Sequence, residues 1–485
     1  MRKTKVICTI GPASKNRKTL ENFIVNGMDI ARINTSHSKK NEVAQLVKSI
    51  RELSKKNLKN TAILLDLQGP KIRIGNLSEN IRLKKNQNII FTLNSGLSDK
   101  DTFKNFGHLK LEDTILVSVD YDKFLDDINE GNVIYIDDGL IKCRILQVDR
   151  SLKYAASVVE EGGLLKPHKG INIPGALLSI DSVTQRDIEY LNLGIDLEVD
   201  FIAQSFVRKS SDILKIKSVI DERRSTVAII AKIETNEAVL NFDEILKAAD
   251  AIMMARGDLG VEIKQERIPA IQKEIIKKCS IQGKPVIVAT QMLDSMIRNP
   301  RPTRAEVSDV ANSIFDGVDA VMLSGETAAG KYPLQSLDMI VRIIDEAENA
   351  SDFHEIIQKK FKGKKNNITA AIGFAACEIA DVLNAAAIIT STQSGHTARQ
   401  IAKNRPKSFI IGASPYEWVI KHLMLVWGVI PVKTRFTSDI DSMISEAVDI
   451  TRNLGFIKKG DTAVITGGIL VNKPGSTNFI NVQEI

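Results

Sequence analysis

The chain has 485 residues, 43% hydrophobic and 26% charged, proportions of an ordinary soluble globular protein that indicate neither disorder nor a fibrous class. Its formal net charge of +7 is modest for this length. Lys is scattered and no aromatic-interleaved basic tract occurs, which points to acidic small ligands and away from nucleic acid.

The length accommodates about two to four domains, and no stretch approaches the roughly 18 apolar residues of a membrane span. Four cysteines, Cys8, Cys143, Cys279 and Cys377, lie far apart and match no zinc or C-x-x-C spacing. A disulfide framework is not expected, and reduced thiols in a cytoplasmic protein fit best. The N-terminus MRKTKVICTI is basic and then apolar, but its apolar run is too short for a signal-peptide core and stops at Gly11-Pro12.

The first segment carries apolar runs at KVICTI, DIARINTS and TAILLDLQ, separated by helical patterns such as TLENFIVNG and NEVAQLVKSIRELSKK. Strand, helix, strand at this spacing predicts βα units and a parallel sheet. Over about 70–168 the rhythm yields to short alternating strands, including NVIYIDDGLIKCRILQV and the Gly162-Gly163 turn, which predicts an all-β insertion. The βα rhythm resumes after Gly170 with VDFIAQSF, AIIAKI, AIMMAR, PVIVAT and AVMLSG. Three runs before the insertion and five after it make eight, the count of a closed (β/α)8 TIM barrel of about 250 residues. An open doubly wound sheet shares the same local rhythm. The expected division is a barrel at 1–69 and 169–345, a β-rich unit at 70–168 and a C-terminal α/β unit at 346–485.

Within the barrel, residues 228–260 read as a short strand ending in Lys232, Glu234 and Thr235, a helix of about three turns, and a second apolar strand breaking at Arg256-Gly257-Asp258. Side chains alternate along a strand, so Lys232 and Glu234 point the same way at one C-terminal end, and Asp258 arrives at the end of the next. Two carboxylates and an ammonium so placed suit Mg2+ and a transferring phosphoryl group. On this stretch alone, a surface salt bridge at loop ends explains the same residues equally well.

The other strand ends shift that balance, because barrel chemistry sits at the C-terminal ends of the strands. Arg32, Asn34 and Ser36 end the second run, Asp66 the third, Ser205 the fourth, Thr290 the seventh and Glu326 the eighth. Packing alone favours apolar residues there, so the group is expected to form one site.

A helical segment over about 333–360 leads to the Lys-rich KKFKGKKNN, a boundary signal. A further βα alternation follows: helix TAAIGFAACEIADVL, strand AAIITST, helix TARQIAKN, strand SFIIGAS, then AVITGG and FINVQEI. The loop Ser391, Thr392, Gln393, Ser394, Gly395, His396, Thr397 joins a strand to a helix start, where hydroxyls and backbone N–H groups make a phosphate site. An ordinary helix cap needs only one of those hydroxyls, and the P-loop spacing is absent.

Along essentially its whole length the chain resembles the pyruvate kinase family. The matching segments are TKVICTIGPAS, GMDIARINTSHS, LLDLQGPKIRIG, the IDDGL of the insertion, KGINIPG, AKIETNEAVLNFDEIL, MMARGDLGVEI, VIVATQMLDSMIRNPRPTRAEVSDVANSIFDGVDAVMLSGETAAGKYP and SGHTARQIAKNRP. The resemblance implies Mg2+-dependent transfer of the phosphoryl group of phosphoenolpyruvate to ADP, giving pyruvate and ATP, the final step of glycolysis, with Mn2+ as a substitute metal. It implies that Lys232 stabilises charge on the transferring group and that Glu234 and Asp258 hold Mg2+. Arg32 would contact phosphoryl oxygens, and Thr290 would relay a proton through water to the enolate. Gly257 and Asp258 would hold the substrate carboxylate by backbone N–H, with Ser205 in the same pocket. Asn34, His37, Arg73 and Lys169 would lie near the nucleotide phosphates, beneath an insertion that acts as a lid.

One departure concerns a cofactor. Many family members read Asp-Thr-Lys-Gly-Pro-Glu where this chain has Asp66-Leu67-Gln68-Gly69-Pro70-Lys71, and they require K+ near the positions of Asn34, Ser36, Asp66 and Leu67. Lys71 substitutes a fixed ammonium for an acid, so independence of K+ is expected. The 391–397 loop matches the family's effector loop, which implies activation by a phosphorylated sugar or nucleotide, with Lys473 as a candidate for a second phosphate. A homotetramer is expected, without nucleic-acid or membrane partners and without an appended domain after Ile485. Two rival readings are another barrel enzyme acting on phosphoenolpyruvate or pyruvate, of the aldol-lyase type, and a catalytically dead metabolite sensor.

Overall fold

A computed structural model describes residues 2–93, 114–176, 178–350, 367–437, 439–468 and 477–485. Most of the Lys-rich boundary segment, and Lys473, lie outside the described residues.

The chain opens with β1 (Lys5–Ile10), β2 (Ile30–Asn34) and β3 (Ala62–Asp66), linked by helices Arg17–Val25 and Lys40–Lys56. Asn16 caps the first helix by accepting from Thr19 N–H, as an N-cap side chain should. Eight short strands follow: β4 (Ile81–Arg82), β5 (Asn88–Thr92), β6 (Ile115–Ser118), β7 (Val133–Ile136), β8 (Ile141–Asp149), β9 (Tyr154–Glu161), β10 (Leu164–Leu165) and β11 (Ile171–Asn172). They form a six-stranded sheet in the order β11-β7-β8-β9-β5-β6 and a β10-β4 pair, around a separate apolar core that includes Phe91, Phe124 and Ile134. The two chain crossings that connect this sheet to the rest pair antiparallel, Arg73 opposite Gly170.

The parallel rhythm resumes with β12 (Phe201–Gln204), β13 (Ala228–Ile233), β14 (Ala251–Ala255), β15 (Val286–Ala289) and β16 (Ala320–Leu323). Together with β1–β3 they close a barrel in the order β1-β16-β15-β14-β13-β12-β3-β2. The open-sheet alternative is therefore set aside. These strands read as nearly continuous apolar runs because both faces are buried. In β13, Ile229, Ala231 and Ile233 pack outward against the helices, whereas Ala228 and Ile230 point into the barrel interior.

Helix Pro333–Asn349 ends the barrel portion. Beyond helix Ile368–Val382 stands a five-stranded sheet, β19-β18-β17-β20-β21, built from β17 (Ala387–Ser391), β18 (Phe409–Ser414), β19 (Val429–Lys433), β20 (Thr462–Gly468) and an antiparallel β21 (Thr477–Glu484). β19 and the helices Glu417–Leu423 and Ile440–Asn453 were not among the sequence expectations. β19 carries Pro431, which disguises a strand and is tolerated here because β19 is an edge.

Two local expectations also change. The segment after β13 is two helices, Asn236–Leu240 and Phe242–Ala248, because Asn241 leaves helical geometry and its amide donates to Arg208 O at 3.0 Å. After β14 the helix Arg256–Glu262 starts at once, so Asp258 sits in a first helical turn and not at a strand end.

The C-terminal unit closes the N-terminal mouth of the barrel. Met424 and Leu425 complete the apolar layer formed by Ile7, Ile30, Phe201 and Met253. Around that plug, Asp319 accepts from Val286 N–H at 3.0 Å and Trp427 N–H at 3.2 Å, and lies 3.4 Å from the buried Arg405 guanidinium. Arg405 also donates to Gly317 O at 2.6 Å and stacks over the Trp427 ring at 4.6 Å. Removing one member of a buried charge pair strands the other in low dielectric. Asp319→Ala is expected to destabilise the fold by about 3 kcal/mol, read as an earlier denaturant midpoint; an unchanged midpoint contradicts this account of the interface.

Candidate active site

The inward series of β1, β2, β3, β12 and β13 turns polar towards the C-terminal end of each strand. Ile7 is followed by Thr9, Ile30 by Arg32, Leu64 by Asp66, Ala203 by Ser205, and Ile230 by Lys232 and Glu234. Strand alternation thus carries apolar side chains through the barrel and delivers charged ones to its C-terminal rim.

There they form one buried network. Asp66 accepts from Arg32 Nε at 2.6 Å and lies 3.3 Å from Lys232 Nζ. Lys232 also donates to Ser205 Oγ at 2.7 Å and pairs with Glu234 at 2.8 Å. Glu234 takes Phe206 N–H at 2.7 Å with its other oxygen. Arg32 donates in addition to Thr9 Oγ1 at 2.8 Å, and Ser205 Oγ donates to Leu67 O at 2.7 Å. The isolated salt bridge at loop ends does not describe this arrangement: Asp66 is 1% exposed, Glu234 1% and Lys232 8%.

Burial alone would raise the Asp66 carboxyl, but the Lys232 ammonium and Arg32 guanidinium outweigh it and hold Asp66 below the usual carboxylate range. For Lys232, burial opposes the charge, and the Asp66 and Glu234 carboxylates overcome it, so the ammonium is locked on. Glu234 goes the other way. Its burial raises it beyond what Lys232 restores, and the Asp258 carboxylate adds to the rise.

Asp258 is half-buried, and its carboxylate makes no hydrogen bond or ion pair among the described residues. Two repelling carboxylates, one without a partner, suit a divalent cation that takes its remaining ligands from substrate oxygens and water. No larger cluster of candidate metal ligands occurs among the described residues.

Thr290 closes another side. It and Gln291 both adopt left-handed backbone, φ 71° and 56°, which costs about 1 kcal/mol or more each in non-glycine residues. Two contacts hold the turn: Arg256 donates to Thr290 O at 3.0 Å while paired to Asp309 at 2.8 Å. The Thr290 hydroxyl accepts from Gly257 N–H at 2.7 Å, so this N–H, expected to face a substrate carboxylate, is already engaged. Phe206, likewise left-handed at φ 53°, turns its N–H onto Glu234. Glu326 does not join the group. It is buried under the β15 and β16 turns, accepting from Leu293 N–H at 3.0 Å and Ser324 N–H at 2.8 Å.

The expected nucleotide residues separate into two places. Arg73 and Lys169 meet at the paired crossings, Arg73 donating to His168 O at 3.0 Å and Lys169 pairing with Asp137 at 2.8 Å. Asn34 and the exposed His37 lie on the turn after β2, where Asn34 Oδ1 accepts from Ser36 N–H at 3.0 Å. Among the expected K+ ligands, Asn34 Oδ1 and Leu67 O are thus engaged within the chain. Lys71 lies across Gly170, where a Cβ would fall 2.5 Å from Lys71 Cε, so a side chain at 170 would displace the lysine from its present position.

In the 391–397 loop, Ser391 ends β17 and Gly395, at φ 74°, precedes helix His396–Ala402. Thr392 and Thr397 are buried, Thr397 sharing a 2.6 Å hydrogen bond with Thr477, and Ser394 O accepts from Arg399 at 3.2 Å. Ser391, Gln393, Ser394 and His396 stay half-buried.

Thr9, Phe206, Arg256 and Gln291 were missed in the sequence. Thr9 had a signal, since it continues the inward series of β1. The others had none, because each acts through a contact or a backbone angle that no local pattern encodes.

A closed barrel whose rim gathers three carboxylates, an ammonium and a guanidinium has the donor set of an enzyme that handles phosphate. The family model of the pyruvate kinase barrel domain matches residues 1–337, and that of the pyruvate kinase alpha/beta domain residues 370–483. A pyruvate kinase of Geobacillus stearothermophilus is 44% identical over 486 residues, covering 100% of this chain and 80% of the relative. Those of Sporosarcina psychrophila and Staphylococcus aureus (strain MRSA252) are 43% and 41% identical, each covering 100% of this chain and 81% of the relative. The chain belongs to the pyruvate kinase family and is a phosphotransferase. Neither the aldol-lyase reading nor the dead-sensor reading receives support.

Glu262, at the end of the helix that carries Asp258, supplies a pH prediction. Burial pushes its carboxyl up to about 7, a 3.4 Å contact from Asn172 on β11 opposes this, and Asp258 adds to it. Below the usual 4.5 both folded and unfolded chains hold the proton and nothing is lost. As pH rises towards 7 the folded chain keeps a proton the unfolded chain has released, so this group's contribution to stability falls, and above 7 the loss is complete. Glu262→Gln in metal-free protein should therefore be more stable than the parent at about pH 8, with the gap closing by about pH 4. A gap independent of pH in thermal unfolding contradicts it.

Proposed function

We propose that the rim of the barrel transfers the phosphoryl group of phosphoenolpyruvate to ADP, giving pyruvate and ATP, with Lys232, Arg32 and Thr290 as its catalytic residues. The observation that carries this reading is the buried Arg32–Asp66–Lys232–Glu234 network beside the unpartnered Asp258. Asp66 helps to keep Lys232 charged and aims both Lys232 and Arg32 at one place, so both complement the equatorial oxygens of a phosphoryl group in flight. Glu234 and Asp258 would hold Mg2+, with Mn2+ as a substitute, and the metal would neutralise charge on the phosphoryl and enolate oxygens.

Lys232 has Asp66, Ser205 and Glu234 around its ammonium, so contact with a phosphoryl oxygen exchanges one of these. Thr290 is far too weak an acid to be a free proton donor, but its hydroxyl, pinned by Gly257 N–H, can pass a proton between water and the methylene carbon. Gly257, Asp258 and Ser205 line the substrate side. Asn34, His37, Arg73 and Lys169 serve the nucleotide phosphates, with the β-rich unit at 70–168 as the cover.

Independence of K+ is part of the proposal. Lys71 has no hydrogen bond or ion pair among the described residues, so its ammonium is available to supply the positive charge. The 391–397 loop is the proposed effector site of the 346–485 unit, for a phosphorylated sugar or nucleotide. A homotetramer is the proposed assembly and the cytoplasm the proposed compartment. Among the described residues no helix is long and apolar enough to cross a membrane.

A coupled assay of phosphoenolpyruvate and ADP consumption with Mg2+ tests these readings. Lys232→Met should lower kcat by about 10³ or more while the fold is retained, and a variant of full activity removes Lys232 from the mechanism. Turnover in tetramethylammonium chloride should match that in KCl within about twofold; a large drop without K+ defeats the Lys71 reading. A panel of sugar phosphates and AMP should shift the substrate saturation curve, and an unmoved curve leaves the loop without an effector.

A further inference from the structure

Arg32 reaches the catalytic rim with its guanidinium held at two points. Nε donates to Asp66 at 2.6 Å and Nη1 to the Thr9 hydroxyl at 2.8 Å. The anchors come from opposite sides, because β2 lies between β1 and β3. Thr9 is the register partner of Arg32 on β1, so both side chains leave the same face of the sheet. Among the described residues Nη2 makes no hydrogen bond, although Arg32 is only 8% exposed. A buried guanidinium edge without a protein acceptor is left for a ligand.

Thr9 is itself closely constrained. It is 4% exposed, and its hydroxyl donates to Leu323 O on β16 at 2.9 Å. A carbonyl oxygen only accepts, so the one hydroxyl proton points at Leu323 and a lone pair faces Arg32. The backbone is fixed as well, since the Thr327 hydroxyl donates to Thr9 O at 2.9 Å. A β-branched side chain has few χ1 states, and here both sides of the hydroxyl are occupied. Thr9 therefore offers Arg32 a fixed acceptor and has no proton to give a substrate.

The two anchors differ in what they do to the guanidinium. Asp66 is shared, with Lys232 Nζ 3.3 Å from its other oxygen, and its negative charge offsets part of the attraction Arg32 exerts on a phosphoryl oxygen. A hydroxyl orients the group without cancelling charge. Held at Nε alone, the guanidinium plane can swing about that contact. The second hold at Nη1 fixes the plane and with it the direction of Nη2.

We propose that Thr9 is a positioning residue for phosphoryl transfer, its hydroxyl locking the Arg32 guanidinium so that Nη2 faces the transferring group. This rests on the reading of Arg32 as a phosphoryl contact. A Thr9 that only ties β1 to β16 would contribute to stability and leave the kinetics of a folded protein alone.

Thr9→Val keeps the branched shape and removes the hydroxyl. In the coupled assay with Mg2+ it should lower kcat by about tenfold to a hundredfold, with KM for ADP unchanged within about twofold. Thr9→Ser restores the acceptor and should bring kcat back to within about threefold of the parent. Thr9→Ala carries the same expectation as Thr9→Val and replaces it if valine does not fold there. Arg32→Met supplies the decisive background: a residue that acts only through Arg32 has nothing left to position, so adding Thr9→Val should change kcat by less than about twofold. Multiplication of the two separate losses, a folded Thr9→Val or Thr9→Ala protein with the parent's kcat, or a Thr9→Ser protein no better than Thr9→Val would each overturn the proposal. An Arg32→Met protein as active as the parent overturns both this proposal and the reading of Arg32; with Arg32→Met impaired, the other failures leave that reading standing.

Discussion

The structure depends on one buried carboxylate between two cations. Asp66, nearly inaccessible, lies 2.6 Å from Arg32 and 3.3 Å from Lys232. Alone, any of the three would be expensive at the top of an apolar barrel. Together the two cations keep Asp66 ionised and Asp66 with Glu234 keeps Lys232 charged, and the cost of desolvation is met by geometry that leaves both cations directed at the same space. Glu234 and Asp258 are less evenly balanced: Lys232 pairs with Glu234 at 2.8 Å, whereas the Asp258 side chain has no partner among the described residues.

Pre-organisation of this kind needs a rigid frame. Strand register supplies most of it: Arg32 lies opposite Leu64 and Thr9, and Asn34 opposite Asp66, so each rim residue is placed by the hydrogen-bonded ladder beneath it. The remainder comes from strained turns. Thr290, Gln291 and Phe206 hold left-handed backbone, and buried contacts from Arg256 and Glu234 make that conformation pay in positioning.

The opposite end of the barrel is closed by a different device. Met424 and Leu425 fill its mouth, and the Asp319–Arg405–Trp427 contacts fasten the C-terminal unit around them. Lys3 and Lys5 add bonds to carbonyls of Pro406 and Val429. The barrel floor is therefore partly made by the C-terminal unit.

The sequence by itself determined the kind of fold and the chemical types at the rim. Period and spacing of apolar runs report burial on both faces of a strand, and the change to a polar residue at the end of each run is local, so Arg32, Asp66, Ser205, Lys232 and Glu234 were legible as a set. Tertiary structure decided which of them touch. Asp66 and Lys232 are 166 residues apart, and only barrel closure brings β3, β12 and β13 side by side. Glu326 shows the limit from the other direction: it has the right type at the right strand end, yet backbone N–H groups of two neighbouring turns claim both its oxygens. Asn241, the edge strand with Pro431 and the left-handed Thr290 were hidden for the same reason. Local propensity records what a residue favours alone, whereas hydrogen bonds and packing from distant segments settle the conformation it keeps.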